Sequence, residues 1–408
     1  MRILLSTIGS RGDVQPLVAL GLELKARGEE VRLCVPPDFR EWIEGLGLPV
    51  TPIGPELKST AKPSSGPVQF TPEQRQRMIE GTVAAQFETL AAAAQGCELM
   101  VGATALQVAA PSIADSMGVP YVFAAYCPAV LPSRLHPPPV LAQLGDRPVE
   151  GAADYSELWQ QDAARWNGMW GPLLNARRAA LGLGPVEDVR RHIHTDQPWL
   201  AADPTLAPWP DPTDPSVFQT GAWIVQDDRP LSRELEAFLD AGEPPIYFGF
   251  GSIRAPENLA QAMIDSARAL GRRAILLRGW AELALPDEGA DCLAIGEVNM
   301  RLLFPRVAAV VHHGGAGTTT AATRGGAPQV VIPQHYDQHY FAGRVRELGI
   351  GRAHPFETPS AESLTTALGQ VLQSDVAARA RVVAGGVRED GARVAADRLL
   401  ELAARHSA

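Results

Sequence analysis

The chain has 408 residues, of which 46% are hydrophobic and 20% charged, enough apolar material for roughly two to three packed domains and no signature of global disorder. A formal net charge of −10 and a pI near 5.5 exclude a nucleic-acid partner, whose phosphates need a basic face. Four cysteines (Cys34, Cys97, Cys127, Cys292) lie far apart with no C-x-x-C pair, which argues against a zinc site or disulfide framework; with no membrane-length apolar run and no signal-peptide core, a soluble cytoplasmic protein is expected.

Residues 2–6 read as a strand, 7–16 as a glycine-rich turn, and 17–24 as the start of an amphipathic helix stopped by Gly28. A strand over 30–35, a helix over 38–46 and a strand over 49–53 complete a βαβαβ rhythm, which predicts a parallel, doubly wound sheet. Residues 54–70 turn to Pro, Ser, Lys and Gly, a loop of the length that is often functional. Thr71 as N-cap with Pro72 at the first helical position opens a helix running toward Gly96. Strands over 98–101 and 121–125 flank a helix over 107–117. Residues 128–148 are Pro-rich and irregular, and 154–181 are helical, with Trp159, Trp166 and Trp170 expected as core anchors.

Residues 202–215 hold five prolines and three aspartates without periodicity, the composition of an interdomain linker. Domains are therefore expected over 1–212 and 213–408. Past the linker the alternation restarts: a strand over 218–225, a helix over 232–241, a strand over 245–252 ending in Gly249-Phe250-Gly251-Ser252, a helix over 260–270 and a strand over 273–277. A mixed-charge amphipathic helix over 392–404 closes the chain and is a candidate to pack back on the first domain.

The densest chemistry lies between 307 and 338. An apolar strand over 307–311 runs through His312-His313-Gly314-Gly315-Ala316-Gly317-Thr318 into an Ala-rich helix. A strand that turns through glycines into a helix start offers free backbone N–H groups and the positive end of the helix dipole, an anion site suited to phosphate. Adjacent histidines on extended backbone point to opposite sides; His313, abutting the glycines, is expected at the phosphate and His312 in the packing. A second strand over 329–332 leads to Asp337-Gln338, where side chains can bond sugar hydroxyls off a strand's carboxyl end. Asp337 also reads as the N-cap of the following helix, and Glu297 and Asn299 as plain surface loop. Asp13 reads both as a helix cap and as a base facing the cleft. The pattern is that of a nucleotide-sugar handler.

Together, Gly9-Ser10-Arg11-Gly12-Asp13-Val14-Gln15-Pro16, the 312–318 segment and Asp337-Gln338 resemble the GT-B glycosyltransferases, and most closely the actinobacterial enzymes of vancomycin-type glycopeptides. Leu181-Gly182-Leu183-Gly184-Pro185-Val186, Trp199-Leu200-Ala201-Ala202-Asp203-Pro204, Gln219-Thr220-Gly221-Ala222-Trp223 and Arg278-Gly279-Trp280 extend the likeness over nearly the whole chain. The resemblance implies two Rossmann-like domains facing a cleft, a TDP- or UDP-sugar donor as co-substrate on the C-terminal domain, and a hydrophobic or peptide aglycone on the N-terminal one. It implies no cofactor and no metal, and is compatible with a monomer. It places Asp13 as general base, with Ser10, Arg11 and Gly12 shaping its turn. Ser252, His313, Gly315, Ala316, Gly317 and Thr318 fall at the diphosphate, Asp337 and Gln338 at the sugar, and Arg278, Trp280 and Val298 at the nucleoside. The reaction it implies is inverting transfer to a natural-product hydroxyl. The opening motif also occurs in sterol and lipid glucosyltransferases, and sugar-nucleotide epimerases share the fold.

Overall fold

A computed structural model describes residues 1–58, 71–104, 106–141, 146–149, 151, 153–211, 213–252, 259–355 and 358–406. Part of the expected functional loop (59–70) and part of the Pro-rich segment (142–145) lie outside the described residues.

The N-terminal half runs β1 (Arg2–Thr7), α1 (Arg11–Ala26), β2 (Glu30–Val35), α2 (Arg40–Gly45), β3 (Val50–Pro52), α3 (Pro72–Ala93), β4 (Leu99–Ala103), α4 (Ala110–Met117), β5 (Tyr121–Ala125), α5 (Ser156–Ala180), α6 (Val189–His194), β6 (Trp199–Leu200) and β7 (Phe218–Gln219). These strands form one parallel sheet in the order β3-β2-β1-β4-β5-β6-β7. The second half runs α7 (Arg233–Asp240), β8 (Ile246–Gly249), α8 (Leu259–Ala269), β9 (Ala274–Leu277), β10 (Cys292–Ile295), α9 (Met300–Leu303), β11 (Ala309–His312), α10 (Ala316–Arg324), β12 (Gln329–Val331), α11 (Gln338–Glu347), β13 (Gly351–Ala353), α12 (Ala361–Val371), α13 (Ser374–Ala384) and α14 (Gly391–His406). Its parallel sheet has the order β10-β9-β8-β11-β12-β13. Both orders reverse at the first strand of the half, which leaves a crevice at the carboxyl ends where ligands bind in such sheets.

Local signals hold where they are chemically strong. Thr71 caps α3 reciprocally: its Oγ1 accepts from Gln74 N–H at 3.2 Å and its N–H donates to the Gln74 side chain at 2.9 Å. Trp159, Trp166 and Trp170 are buried in α5. The four cysteines are buried as free thiols. Helix α1, by contrast, begins at Arg11 rather than near 17, because a Ser10–Asp13 contact satisfies its first turn and Pro16 is carried inside the helix. Helix α6 and strand β6 had no counterpart in the sequence pattern.

The linker lies elsewhere than expected. Residues 202–215 are a crossover within the first sheet, because β7 pairs with β6 through Trp199–Phe218 and Leu200–Gln219. The chain leaves the first sheet only after Gln219 and passes without regular structure to α7. Residues 213–219 therefore belong to the N-terminal layer, and the strand expected over 218–225 shrinks to two residues. Helix α14 returns to the first domain, where Ala392, Ala395, Ala396 and Leu399 pack with Val14, Leu17 and Val18 of α1. Arg27 seals that contact with Asp397 at 2.9 Å.

Candidate active site

At the exit of β1 the chain turns over three residues and α1 starts. Asp13, on its first turn, accepts hydrogen bonds from the Ser10 backbone N–H at 2.6 Å and the Ser10 hydroxyl at 3.1 Å, both on one carboxylate oxygen. Gly9 makes room for it: a Cβ there would sit 2.2 Å from Asp13 Oδ2. Burial outweighs these two bonds and raises the Asp13 carboxyl from 3.8 to about 6, into the range of a proton acceptor at neutral pH. The Tyr126 hydroxyl, from the exit of β5, donates to the Asp13 carbonyl oxygen at 3.0 Å and pins the turn.

Across the crevice, β11 ends in the two histidines, whose environments are opposite. His312 is fully buried; its Nε2 meets Gln329 Oε1 at 2.9 Å and its Nδ1 accepts from Gly314 N–H at 3.1 Å. Gln329 in turn donates to Thr323 Oγ1 at 3.0 Å. His312 thus braces strand, turn and helix. His313 lines the cavity with its Nδ1 unpartnered. Burial, the neighbouring His312 and His335 lower it from 6.5 to about 3. Gly315, the N-cap of α10, brings no side-chain cap, and a Cβ on it would lie 2.5 Å from His313 Nε2. With Ala316, Gly317 and Thr318 it leaves the start of α10 facing the cavity.

Asp337 occupies the N-cap position of α11 without capping it by its side chain. Burial together with the charge of Asp13 raises its carboxyl from 3.8 to about 7. Both carboxylates line the same cavity, one from each domain. Gln338 is buried, and its carbonyl oxygen is occupied by the N–H groups of Gln334 (2.8 Å) and His335 (3.3 Å), so that end of the side chain braces the loop. Tyr336 has φ 59, a conformation a bulky residue adopts only under constraint. The constraint is visible: its N–H donates to Val140 O at 2.7 Å, a bridge between the domains.

These groups line one cavity of about 1600 Å³ between the two sheets. Ser252 and Arg11 meet on its wall, the Arg11 N–H donating to Ser252 Oγ at 3.1 Å. The Arg11 guanidinium lies 3.8 Å over the Trp42 ring and pairs with Glu297 at 2.9 Å. Gly12 lies beside it on the wall. Glu297 is an exposed loop residue, as expected, that also pairs across the domains, whereas Asn299 is not the surface residue expected but a buried clamp whose Nδ2 holds the carbonyls of Asp227 (2.7 Å) and Arg229 (2.9 Å). Of the nucleoside candidates, Arg278 is exposed at the rim, Val298 is half-buried on the wall, and Trp280 stacks on Phe39 of the first domain with centroids 5.6 Å apart. Tyr126, Trp42 and Tyr336 were missed by sequence reasoning, since no periodicity marks a side chain that reaches between strand exits. Among the described residues no group of three His, Cys, Asp or Glu side chains could hold a metal ion, and no helix is long and apolar enough to cross a membrane.

Two doubly wound parallel-sheet domains facing one cavity, with a buried carboxylate on one side and the start of a helix on the other, have the GT-B architecture. The sequence comparisons agree. The glycosyltransferase family 28 N-terminal domain matches residues 3–131, and the C-terminal domain described as erythromycin biosynthesis protein CIII-like matches residues 284–396. Glycosyltransferase GtfE of Amycolatopsis orientalis is 51% identical over 401 residues, 98% of this chain and 97% of the relative. The vancomycin aglycone glucosyltransferase of the same organism is 49% identical over 410 residues, 99% and 98% of the two chains. The crystal structure of the kitacinnamycin glycotransferase superposes with a TM-score of 0.73 at 19% identity over 98% of both chains. The chain belongs to the GT-B natural-product glycosyltransferases, in the group that includes the vancomycin-type enzymes.

Proposed function

We propose that this enzyme transfers a sugar with inversion from a TDP- or UDP-sugar to a hydroxyl of a peptide-type aglycone, as the identity to the vancomycin aglycone glucosyltransferase suggests. The observation that carries the mechanism is the pair of perturbed carboxylates, Asp13 and Asp337, one from each domain, on a shared cavity. Asp13 takes the proton of the acceptor hydroxyl, whose oxygen forms the new bond to the anomeric carbon. The bond from that carbon to the phosphate oxygen breaks, and its electron pair leaves with the nucleoside diphosphate. His313, Ser252 and the backbone at the start of α10, Gly315 to Thr318, receive the developing charge. Asp337 and the amide end of Gln338 hold sugar hydroxyls, and Arg278, Trp280 and Val298 border the base. No cofactor enters this reading.

The test crosses TDP- and UDP-glucose with a glycopeptide aglycone, a sterol and a phenolic polyketide, read by mass spectrometry. One added hexose on the glycopeptide aglycone is the expected result. No modified acceptor together with an epimerised donor would replace transfer by isomerisation.

A further inference from the structure

The exit of β4 carries a residue that the mechanism above leaves unused. Thr104 has φ 69, in the left-handed region that a β-branched side chain enters only under constraint. Its Oγ1 is buried with no hydrogen-bond partner, although the residue lines the cavity. Three positions on, Gln107 is fully buried with both ends of its amide unpartnered. Buried polar groups are otherwise paired in proteins, so this loop presents unmet hydrogen-bonding capacity.

The described residues on either side of position 105 are held by hydrogen bonds. Thr104 N–H donates to Ala124 O and Gln107 N–H to Thr104 O, both at 3.3 Å. Gln86 brackets the loop, donating to Leu106 O at 2.9 Å and accepting from Ala109 N–H at 3.1 Å. A strained conformation maintained by its surroundings is a mark of functional sites.

Its place in the sheet says what it faces. The order β1-β4-β5 sets Thr104 between the strand exit that leads to Asp13 and the one that leads to Tyr126. Those two are joined across it by the Tyr126–Asp13 bond of 3.0 Å. Leu106, 41% exposed, lines the same cavity.

We propose that Thr104 is a positioning residue for the acceptor: its hydroxyl bonds an acceptor oxygen neighbouring the one that Asp13 deprotonates, while Leu106 covers the acceptor's apolar flank. This rests on the glycosyltransferase reading of the cavity and specifies its acceptor as one with a second oxygen beside the reacting hydroxyl.

The experiment compares wild type with Thr104→Val, Thr104→Ser and Thr104→Gly, using a vancomycin-type aglycone as acceptor and TDP- or UDP-glucose as donor. Thr104→Val, which keeps the branch and loses the hydroxyl, is expected to lower kcat/KM for the acceptor about tenfold, the share of one hydrogen bond. Free TDP or UDP should bind it as it binds wild type, and Thr104→Ser should recover most of the loss. Thr104→Gly, which relieves the backbone, should melt higher than wild type and yet transfer as poorly as Thr104→Val. Wild-type kcat/KM in Thr104→Val overturns the proposal, as does a loss of activity that tracks a fall in melting temperature. If wild type transfers no sugar to any acceptor of the panel, the functional reading falls and this one with it; if wild type transfers and Thr104→Val equals it, only this one falls.

Discussion

Replacing Asp13 by Asn tests the base directly and separates chemistry from stability. The carboxyl is raised from 3.8 to about 6 by burial, which corresponds to roughly 3 kcal/mol. A raised carboxyl favours the protonated form in the folded state. Its stabilising influence is therefore present below pH 3.8 and lost as pH rises through 6, so at pH 8 the ionised group opposes folding by that amount. Asn keeps an oxygen for the two Ser10 donors and carries no charge. Asp13→Asn should thus be more stable than wild type in urea at pH 8, by up to about 3 kcal/mol, with the difference closing toward pH 4. Turnover should fall by about 10²–10⁴-fold, the usual share of a general base. The pH profile adds an independent check: kcat/KM of wild type should drop tenfold per unit below about 6, and that limb should vanish in the variant. Transfer by Asp13→Asn within threefold of wild type, or an unchanged acid limb, would refute the assignment.

The adjacent histidines should respond in opposite ways. His312→Ala leaves Gln329 and the Gly314 N–H without their buried partner and should cost roughly 3 kcal/mol or more in urea melts, since each orphaned group costs about 1–3 kcal/mol. His313→Ala removes a ring nitrogen that has no partner; it should melt near wild type at pH 8 while TDP affinity, read by calorimetry, falls about tenfold. Both rings are held neutral by burial, His312 at about 4 and His313 at about 3. Their stabilising influence is therefore complete above 6.5 and lost as pH falls through 4 and below, and acid melts of His312→Ala should show a shallower decline than wild type over that window. Gly9→Ala puts a methyl 2.2 Å from Asp13 Oδ2; steady-state kinetics should show kcat about 10²-fold lower with donor affinity retained, the effect of misplacing a catalytic group by about 1 Å.

The sequence by itself determined what depends on neighbours along the chain. Alternating apolar strands and helices set two parallel sheets, the Thr71 cap placed α3, and the glycine turn after His313 marked the start of α10, because caps, turns and periodicity act over a few residues. The alternation of adjacent side chains on extended backbone even separated His312 from His313. Tertiary structure decided what depends on groups distant in sequence. A Pro- and Asp-rich run had the composition of a linker, yet two residues of pairing between β6 and β7 made it a crossover. Gln338 had the chemistry of a sugar ligand, and folding spent its carbonyl oxygen on the Gln334 and His335 amides. Asn299 looked solvent-facing until folding buried it on the carbonyls of Asp227 and Arg229. A carboxylate's acidity follows the same rule: Asp13 and Asp337 are 324 positions apart in the chain, and only the closing of two sheets on one cavity strips their water and sets one charge against the other.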